Sequence, residues 1–101
     1  MDRRLELHQK LKNILGSDKV YFQPPPSVKI TYPCIIYERS AIHTTKADNI
    51  NYLSRVRYTI TLIGDSPESG FVKEILKLPM CSYDRFFTSD GLNHDVFSLY
   101  Y

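Results

Sequence analysis

The side chains that general acid–base catalysis requires occur together near the C-terminal end of the sequence. They are Asp84, Asp90, His94 and Asp95. A carboxylate next to a histidine can move protons near neutral pH. Turns also collect Asp, Asn and His, because these short polar side chains hydrogen-bond to nearby backbone groups. We favour the turn explanation, and we expect that the protein is not an enzyme.

Other reactive side chains do not form the pattern of a metal or cofactor site. His8, His43 and His94 fall in three different predicted elements, and the sequence has no H-x-x-x-H motif and no glycine-rich phosphate loop. Cys34 and Cys81 lie far apart, without a C-x-x-C pair. We expect two buried thiols in a reducing cytosol, since a disulfide requires Cα atoms within about 7 Å, which the sequence leaves open. No metal or cofactor is expected.

The length and charge of the chain exclude several functional classes. Its 101 residues are 43% apolar, which suits one domain with one core and little room for a deep cleft. Thirteen basic residues against eleven acidic ones leave a net charge of +2. A protein that follows a nucleic-acid backbone usually has a pI above about 9, and this chain has a pI of 8.5. No apolar run approaches the roughly 20 residues of a membrane span.

Two helices are predicted from apolar residues at helical spacing. The first has a stripe formed by Leu7, Leu11, Ile14 and Leu15. Asp2 is its expected N-cap and Gly16 its expected C-terminal stop. The second starts at an N-cap, either Asp65 or Ser66, and ends at Pro79. Its apolar face is formed by Phe71, Val72, Ile75 and Leu76.

The remaining regular segments are predicted to be strands. They are a short strand at 20–22 and longer strands at 34–39, 55–62, 81–88 and 95–101. The strand 55–62 alternates throughout, with Val56, Tyr58, Ile60 and Leu62 towards the core. We summarise the order as α-β-β-α-β-β, which predicts an α+β fold with a mainly antiparallel sheet and two helices on one face.

The segment 40–54 is the first candidate for a functional element. Connections this long are uncommon in compact domains and are often functional. It contains four large apolar side chains, which argue against a disordered connector. These are Ile42, Ile50, Tyr52 and Leu53. We predict a hairpin arm, with the polar residues Asp48 and Asn49 at its distal end, that projects from the body.

Arg55 and Arg57 are predicted on the outer face of the strand that follows the arm. They either lie on a solvated face with weak salt links to groups such as Glu38, or pair with Asp48 or Glu68 of a neighbouring subunit. The eight tyrosines allow the same two interpretations. Their rings cover the sheet, or several of them face another subunit.

The order of several short motifs resembles that of a viral family. The motifs are Tyr21-Phe22-Gln23-Pro24-Pro25, Tyr32-Pro33-Cys34-Ile35-Ile36-Tyr37, Ala47-Asp48-Asn49 with Tyr52, Arg57-Tyr58-Thr59-Ile60-Thr61-Leu62, Tyr83-Asp84-Arg85-Phe86 and Leu92-Asn93-His94-Asp95. In this order they look like the small tail-completion proteins of long-tailed bacteriophages, also called tail terminator, head–tail joining or minor capsid proteins. The resemblance extends over nearly the whole chain.

The resemblance implies a structural assembly protein of the virion, made in the cytoplasm of a bacterial host and placed at the tail or neck. Similar proteins form a ring, usually of six copies, at the head-proximal end of the tail, where it ends tube growth and joins the tail to the head connector. The implied partners are copies of the chain itself, the tail tube protein and the connector. The implied shape is an α+β body with a projecting hairpin.

The subunit contact is predicted to use the arm and the two arginines. The residues are Ile42, Asp48, Asn49, Ile50, Tyr52, Leu53, Arg55 and Arg57. Two other functions stay open. One is an adaptor that binds a peptide at a sheet edge. The other is a weak single-stranded nucleic-acid binder that uses Tyr58, Phe86 and the two arginines, although we expect no specific nucleic-acid contact and no membrane contact.

Overall fold

The computed structural model describes residues 3–25, 30–47, 50–65 and 70–101. The described helices and strands, in chain order, are α1 (Arg3–Leu15), β1 (Val20–Phe22), β2 (Cys34–Ala47), β3 (Ile50–Gly64), α2 (Gly70–Leu76), β4 (Cys81–Ser89) and β5 (Leu92–Tyr100). The α+β prediction is confirmed. The short strand β1 joins the sheet, so three strands rather than two precede α2.

The strands form one sheet in the order β1-β2-β3-β5-β4. β1 runs parallel to β2, and every other described neighbour is antiparallel. The edges of the sheet body are therefore the three-residue β1 and the nine-residue β4. Since β4 pairs only through one side, its other side presents backbone N–H and C=O groups without a strand partner in the described chain.

Both helices pack against the same face of this sheet, which we call the helix face. α1 contributes Leu7 and Leu11, and α2 contributes Ile75, all with no exposed surface. They join one core cluster with alternate residues of the sheet: Val20, Ile35, Tyr37, Tyr58, Ile60, Leu62, Phe97 and Leu99. A short amphipathic helix is marginal in water alone, so this packing stabilises α1 and α2. The opposite face, which neither described helix covers, is the open face.

The structure describes some of the predicted helix boundaries and leaves others outside the described residues. Gly16 ends α1 as expected: its φ is +74°, and its N–H donates to the carbonyl of Lys12 at 2.8 Å. This is the left-handed C-terminal residue that favours glycine. The proposed cap Asp2 and the start of the second helix at 66–69 lie outside the described residues.

The predicted arm is present as a continuation of β2 and β3. Within the body, β2 is flanked by β1 only as far as Tyr37, and β3 is flanked by β5 only from Arg57 onwards. In the described sheet, residues 40–47 have no strand neighbour other than β3, and residues 50–55 have none other than β2. Eight residues of strand extend about 26 Å. The molecule accordingly measures 51 × 26 × 23 Å, because the two-stranded ribbon roughly doubles its length.

The β4–β5 hairpin closes through the two residues Asp90 and Gly91, which have φ values of 53° and 75°. Two successive positive φ values define the type I′ turn that suits the twist of an antiparallel hairpin. The predicted turn at this position is confirmed.

We expect Gly91→Ala to lower the free energy of unfolding by about 1 kcal/mol, because a Cβ is unfavourable in the left-handed region. A Cβ at Gly91 would meet no atom within 4 Å, so the loss is conformational. In thermal denaturation the midpoint falls by about 4–8 °C. The matched control is Gly70→Ala, which also points into open space but has no positive φ and should not destabilise. Equal effects of the two changes would contradict this explanation.

Candidate functional site

The possible acid–base residues are not assembled into a catalytic group. His94 and Asp95 are consecutive in β5, so their side chains lie on opposite faces of the sheet. His94 stacks on Phe87 with ring centroids 4.6 Å apart, and its Nδ1 lies 3.2 Å from the carbonyl oxygen of Leu92. Asp84 forms an ion pair with Arg85 at 2.8 Å. His94 and Asp84 therefore each have a local structural partner.

Asp95 is the one charged residue in the described core, with 8% exposure. The hydroxyl of Tyr83 donates to Asp95 Oδ1 at 2.7 Å, which supplies the hydrogen bond that a buried carboxylate needs. This bond, more than desolvation, raises the pKa of Tyr83 to about 12. The Tyr83 ring also packs edge-on against Phe97 at 5.4 Å. This hydrogen bond and this ring contact connect the edge strand β4 to β5.

A second polar group lies where α1 crosses β2. Tyr37 is fully buried, and its hydroxyl lies 2.7 Å from Nδ1 of His8. Arg4, which can only donate, reaches the same hydroxyl at 3.4 Å. Which of the Tyr37 hydroxyl and His8 Nδ1 donates depends on the tautomer of His8. Burial, with smaller contributions from Lys12 and Arg4, lowers the pKa of His8 below 6.5.

This lowered pKa predicts a loss of stability in acid. Between the folded-state pKa and 6.5 the unfolded chain binds more protons than the folded chain, so the free energy of unfolding falls as the pH falls through this window. We expect His8→Asn, which keeps a hydrogen-bonding group beside Tyr37 and removes the titration, to flatten the pH dependence of the free energy of unfolding between pH 7.5 and 5. Urea denaturation of both proteins across this range measures the difference. If the free energy of unfolding depends on pH in the same way in both proteins, His8 is not the cause of the loss in acid.

The cysteines and histidines provide no metal-binding group among the described residues. Both cysteines are free thiols. The strand registers place Cys34 and Cys81 at opposite ends of the sheet and on opposite faces, about 20 Å apart. A disulfide between them within one chain is therefore excluded. Burial raises the pKa of Cys34 to about 11, an effect that the Lys19 ammonium group partly offsets.

The structure brings most of the predicted contact residues onto the ribbon. Ile42 lies in β2 with 57% of its surface exposed. Ile50, Leu53 and Arg55 pair with residues of β2, and Tyr52 lies at a register shift without an opposite residue in that pairing. Asp48 and Asn49 lie outside the described residues, as does Glu68, so the pairing of the arginines with Asp48 or Glu68 stays a prediction. A two-stranded ribbon is at best marginally stable in water, which favours a partner along it.

Arg57 belongs to the base of the ribbon. A β-bulge between Arg39 and Ala41 leaves Ser40 without a partner in the β2–β3 register. Arg57 Nε–H donates to Ser40 Oγ at 3.1 Å, and the Ser40 hydroxyl lies 3.1 Å from the Arg57 carbonyl oxygen. A bulge bends and twists its strand, so this pair of contacts stabilises the direction in which the ribbon leaves the body. Its role in a subunit contact stays a prediction.

The variant Arg57→Lys tests whether Arg57 acts through its contact with Ser40 or only through its positive charge. Lysine keeps the charge but cannot reproduce the planar Nε–H contact. We expect faster amide hydrogen exchange along 40–56 and a loss of less than about 1 kcal/mol in global stability, since the site is solvent-accessible. Ser40→Ala should give the same pattern. Unchanged exchange in both variants would show that the contact does not hold the ribbon.

The edge strand β4 is a surface that sequence analysis missed. Three of its aromatic side chains are exposed: Tyr83 by 43%, Phe86 by 48% and Phe87 by 38%. They lie on a strand whose outer backbone groups have no strand partner in the described chain. The sequence signal was the Tyr-Asp-Arg-Phe-Phe run, in which apolar rings adjoin charges instead of alternating cleanly. A regular half-buried strand would alternate.

The residues predicted for single-stranded nucleic-acid binding do not share one surface. Tyr58 is 4% exposed in the core of the helix face, while the adjacent Arg57 points the other way.

A shallow polar depression of about 470 Å³ lies at the end of α1, between Gln9 and Asp18. It presents amide, hydroxyl and ion-paired groups rather than a nucleophile with an adjacent base.

Comparison with known proteins does not assign the chain to a family. No protein-family model and no curated protein matches it. Neither described helix has both the length and the apolar character needed to cross a membrane. The family resemblance therefore stays a prediction.

Proposed function

We propose that the protein is a structural assembly protein of a tailed phage or prophage, which forms a ring at the head-proximal end of the tail. The observation that carries the proposal is the ribbon, which extends about 26 Å from the body and pairs only with itself. Such an element has enough reach to lie on a neighbouring subunit. The order of sequence motifs supplies the viral setting.

The position of the ribbon supports a head-to-tail contact between copies. It leaves the sheet from β2 and β3, and in the proposed ring it lies on a different part of the next subunit. A contact between two different surfaces is heterologous, and it closes a ring when the rotation between subunits divides a full turn evenly. A ring of this kind stops tube growth by covering the last tube subunits and offers its other side to the head connector.

The distribution of tyrosines agrees with an assembly role. Tyr37 and Tyr58 are in the core, whereas Tyr32 and Tyr83 are exposed by 44% and 43%. Tyrosine covers apolar surface in an assembled contact and still hydrates in the free subunit. The two interpretations of the tyrosine content therefore apply to different residues. Part of the set builds the sheet and part remains available to a partner.

Removal of the distal ribbon tests the proposal. Deletion of 44–51 leaves His43 opposite Arg55, joined by the three residues 52–54, which is an acceptable hairpin loop length. We expect the body to fold and the multi-subunit mass to disappear in sedimentation or native mass spectrometry. An oligomer that survives this deletion would contradict the role of the ribbon.

A point variant gives a milder test with a matched control. Ile42→Ser removes an apolar side chain that is 57% exposed on the ribbon, and Leu5→Ser removes one that is 54% exposed on α1. Both changes should leave the thermal midpoint nearly unchanged, because little buried surface is lost. Only Ile42→Ser should weaken association. In phage particles that carry it, tails of abnormal length or unattached to heads are expected.

The adaptor function is the second candidate, and the free side of β4 favours it. An extended peptide can add to such an edge through backbone hydrogen bonds. A strictly monomeric protein that binds a single peptide, with chemical-shift changes confined to β4, would support this function over the ring.

A further inference from the structure

The outer side of β4 is shaped by a β-bulge. The register of β4 with β5 shifts between Tyr83 and Arg85. Tyr83 lies opposite Phe97, and Phe86 lies opposite Asp95. Both therefore point to the helix face, with two residues between them. In a regular strand, residues on the same face are separated by one residue or by three.

This count distinguishes two kinds of strand partner for the edge. A regular strand pairs with β4 on both sides of the bulge only by leaving one β4 residue without an opposite residue, as β5 does. A second copy of β4, running antiparallel, brings an equivalent bulge. The residues before the bulge in one copy then lie opposite the residues after the bulge in the other, and the numbers of residues are equal on both strands.

Only one register of this kind uses nearly the whole strand. It places Asp84 opposite Arg85 of the second copy, and by symmetry Arg85 opposite that copy's Asp84. Moving outwards, Tyr83 lies opposite Phe86, Ser82 opposite Phe87, and Cys81 opposite Thr88. Side chains that face each other point to the same face of the joined sheet, as antiparallel pairing requires.

The side chains that meet in this register are complementary. Asp84 and Arg85 pair with each other at 2.8 Å within one chain, and across the two-fold axis the same charges form two opposite-charge pairs. Tyr83 and Phe86, which are exposed by 43% and 48%, form two aromatic pairs that cover each other. Directly opposite aromatic and opposite-charge pairs are the contacts that stabilise antiparallel strands.

We propose that β4 is a two-fold interface, in which the β4 strands of two copies of this chain pair antiparallel with Asp84 opposite Arg85. The two sheets join into one of ten strands, counted from the five of each described chain. The bulge and the adjacent charges disfavour pairing of this edge with arbitrary strands. A second copy of β4 matches both the bulge and the charges. This contact is separate from the ribbon, at the far edge of the sheet, and does not depend on a role in a virion.

Charge exchange tests the pairing without touching the core. Asp84→Arg places two arginines opposite each other twice in the dimer, and Arg85→Asp does the same with two aspartates. Each single variant should weaken dimerisation at least about tenfold in sedimentation equilibrium. The double variant D84R/R85D restores opposite charges and should return to within about threefold of the original affinity. Weakening that is additive in the double variant would overturn the register.

Cysteine cross-linking tests the geometry independently. Thr88→Cys places a thiol opposite the native Cys81 of the other copy, where the Cα atoms of facing residues are about 4.5–5.5 Å apart, within disulfide range. Oxidised glutathione at pH 8.5 should convert this full-length variant to a covalent dimer with two symmetric disulfides. The control Ser89→Cys shifts the thiol by one residue to the other face and should give little dimer, as should the unmodified protein.

The outcomes separate this proposal from the proposed function. A T88C dimer that forms after the ribbon has been shortened supports the β4 interface even if the ring is wrong. A ribbon-dependent oligomer with equal cross-linking of T88C and S89C overturns the β4 interface and leaves the ring intact. A protein that is monomeric at every concentration, or a monomer whose β4 binds only an extended peptide, also overturns it.

Discussion

The antiparallel pairing of β2 with β3 is the interaction on which the rest of the structure depends. Inside the body it aligns Ile35 with Leu62 and Tyr37 with Ile60, which creates the apolar surface that both helices cover. Neither a 13-residue nor a 7-residue helix would be stable without that surface. Outside the body the same pairing continues as the ribbon. One register therefore sets both the core and the part of the molecule that reaches beyond it.

The polar groups next to this core have structural partners. The buried hydroxyl of Tyr37 lies between His8 and Arg4, and the buried carboxylate of Asp95 accepts from Tyr83. No buried side-chain nitrogen or oxygen atom of the described residues lacks a hydrogen-bond partner. Enzymes commonly keep titratable groups aimed into a cleft, whereas these groups connect helix to sheet and edge strand to centre. Among the described residues, the ribbon and the outer side of β4 are the surfaces on which the two proposals rest.

Local structure was predictable from the sequence where one strong pattern was present. The alternation from Val56 to Leu62 predicted a strand with one buried face, and Gly16 and Gly91 marked a helix end and a turn because their positions require positive φ. The ribbon followed from large apolar residues in an otherwise polar connection. The β4 edge was missed as a surface, because strand order depends on contacts between segments distant in sequence. A pattern in one strand does not say whether that strand has one neighbour or two.

The sequence by itself determined the α+β class, the buried face of β3 and the existence of a projecting hairpin, since these depend on local spacing of apolar and turn residues. Only the tertiary structure decided that Arg57 contacts Ser40 at the bulge, that His94 and Asp95 are separated by the sheet, and that β4 is an edge. These features depend on the register between strands. A shift of one residue in that register exchanges the faces of a whole strand, and no single segment carries the information that selects it.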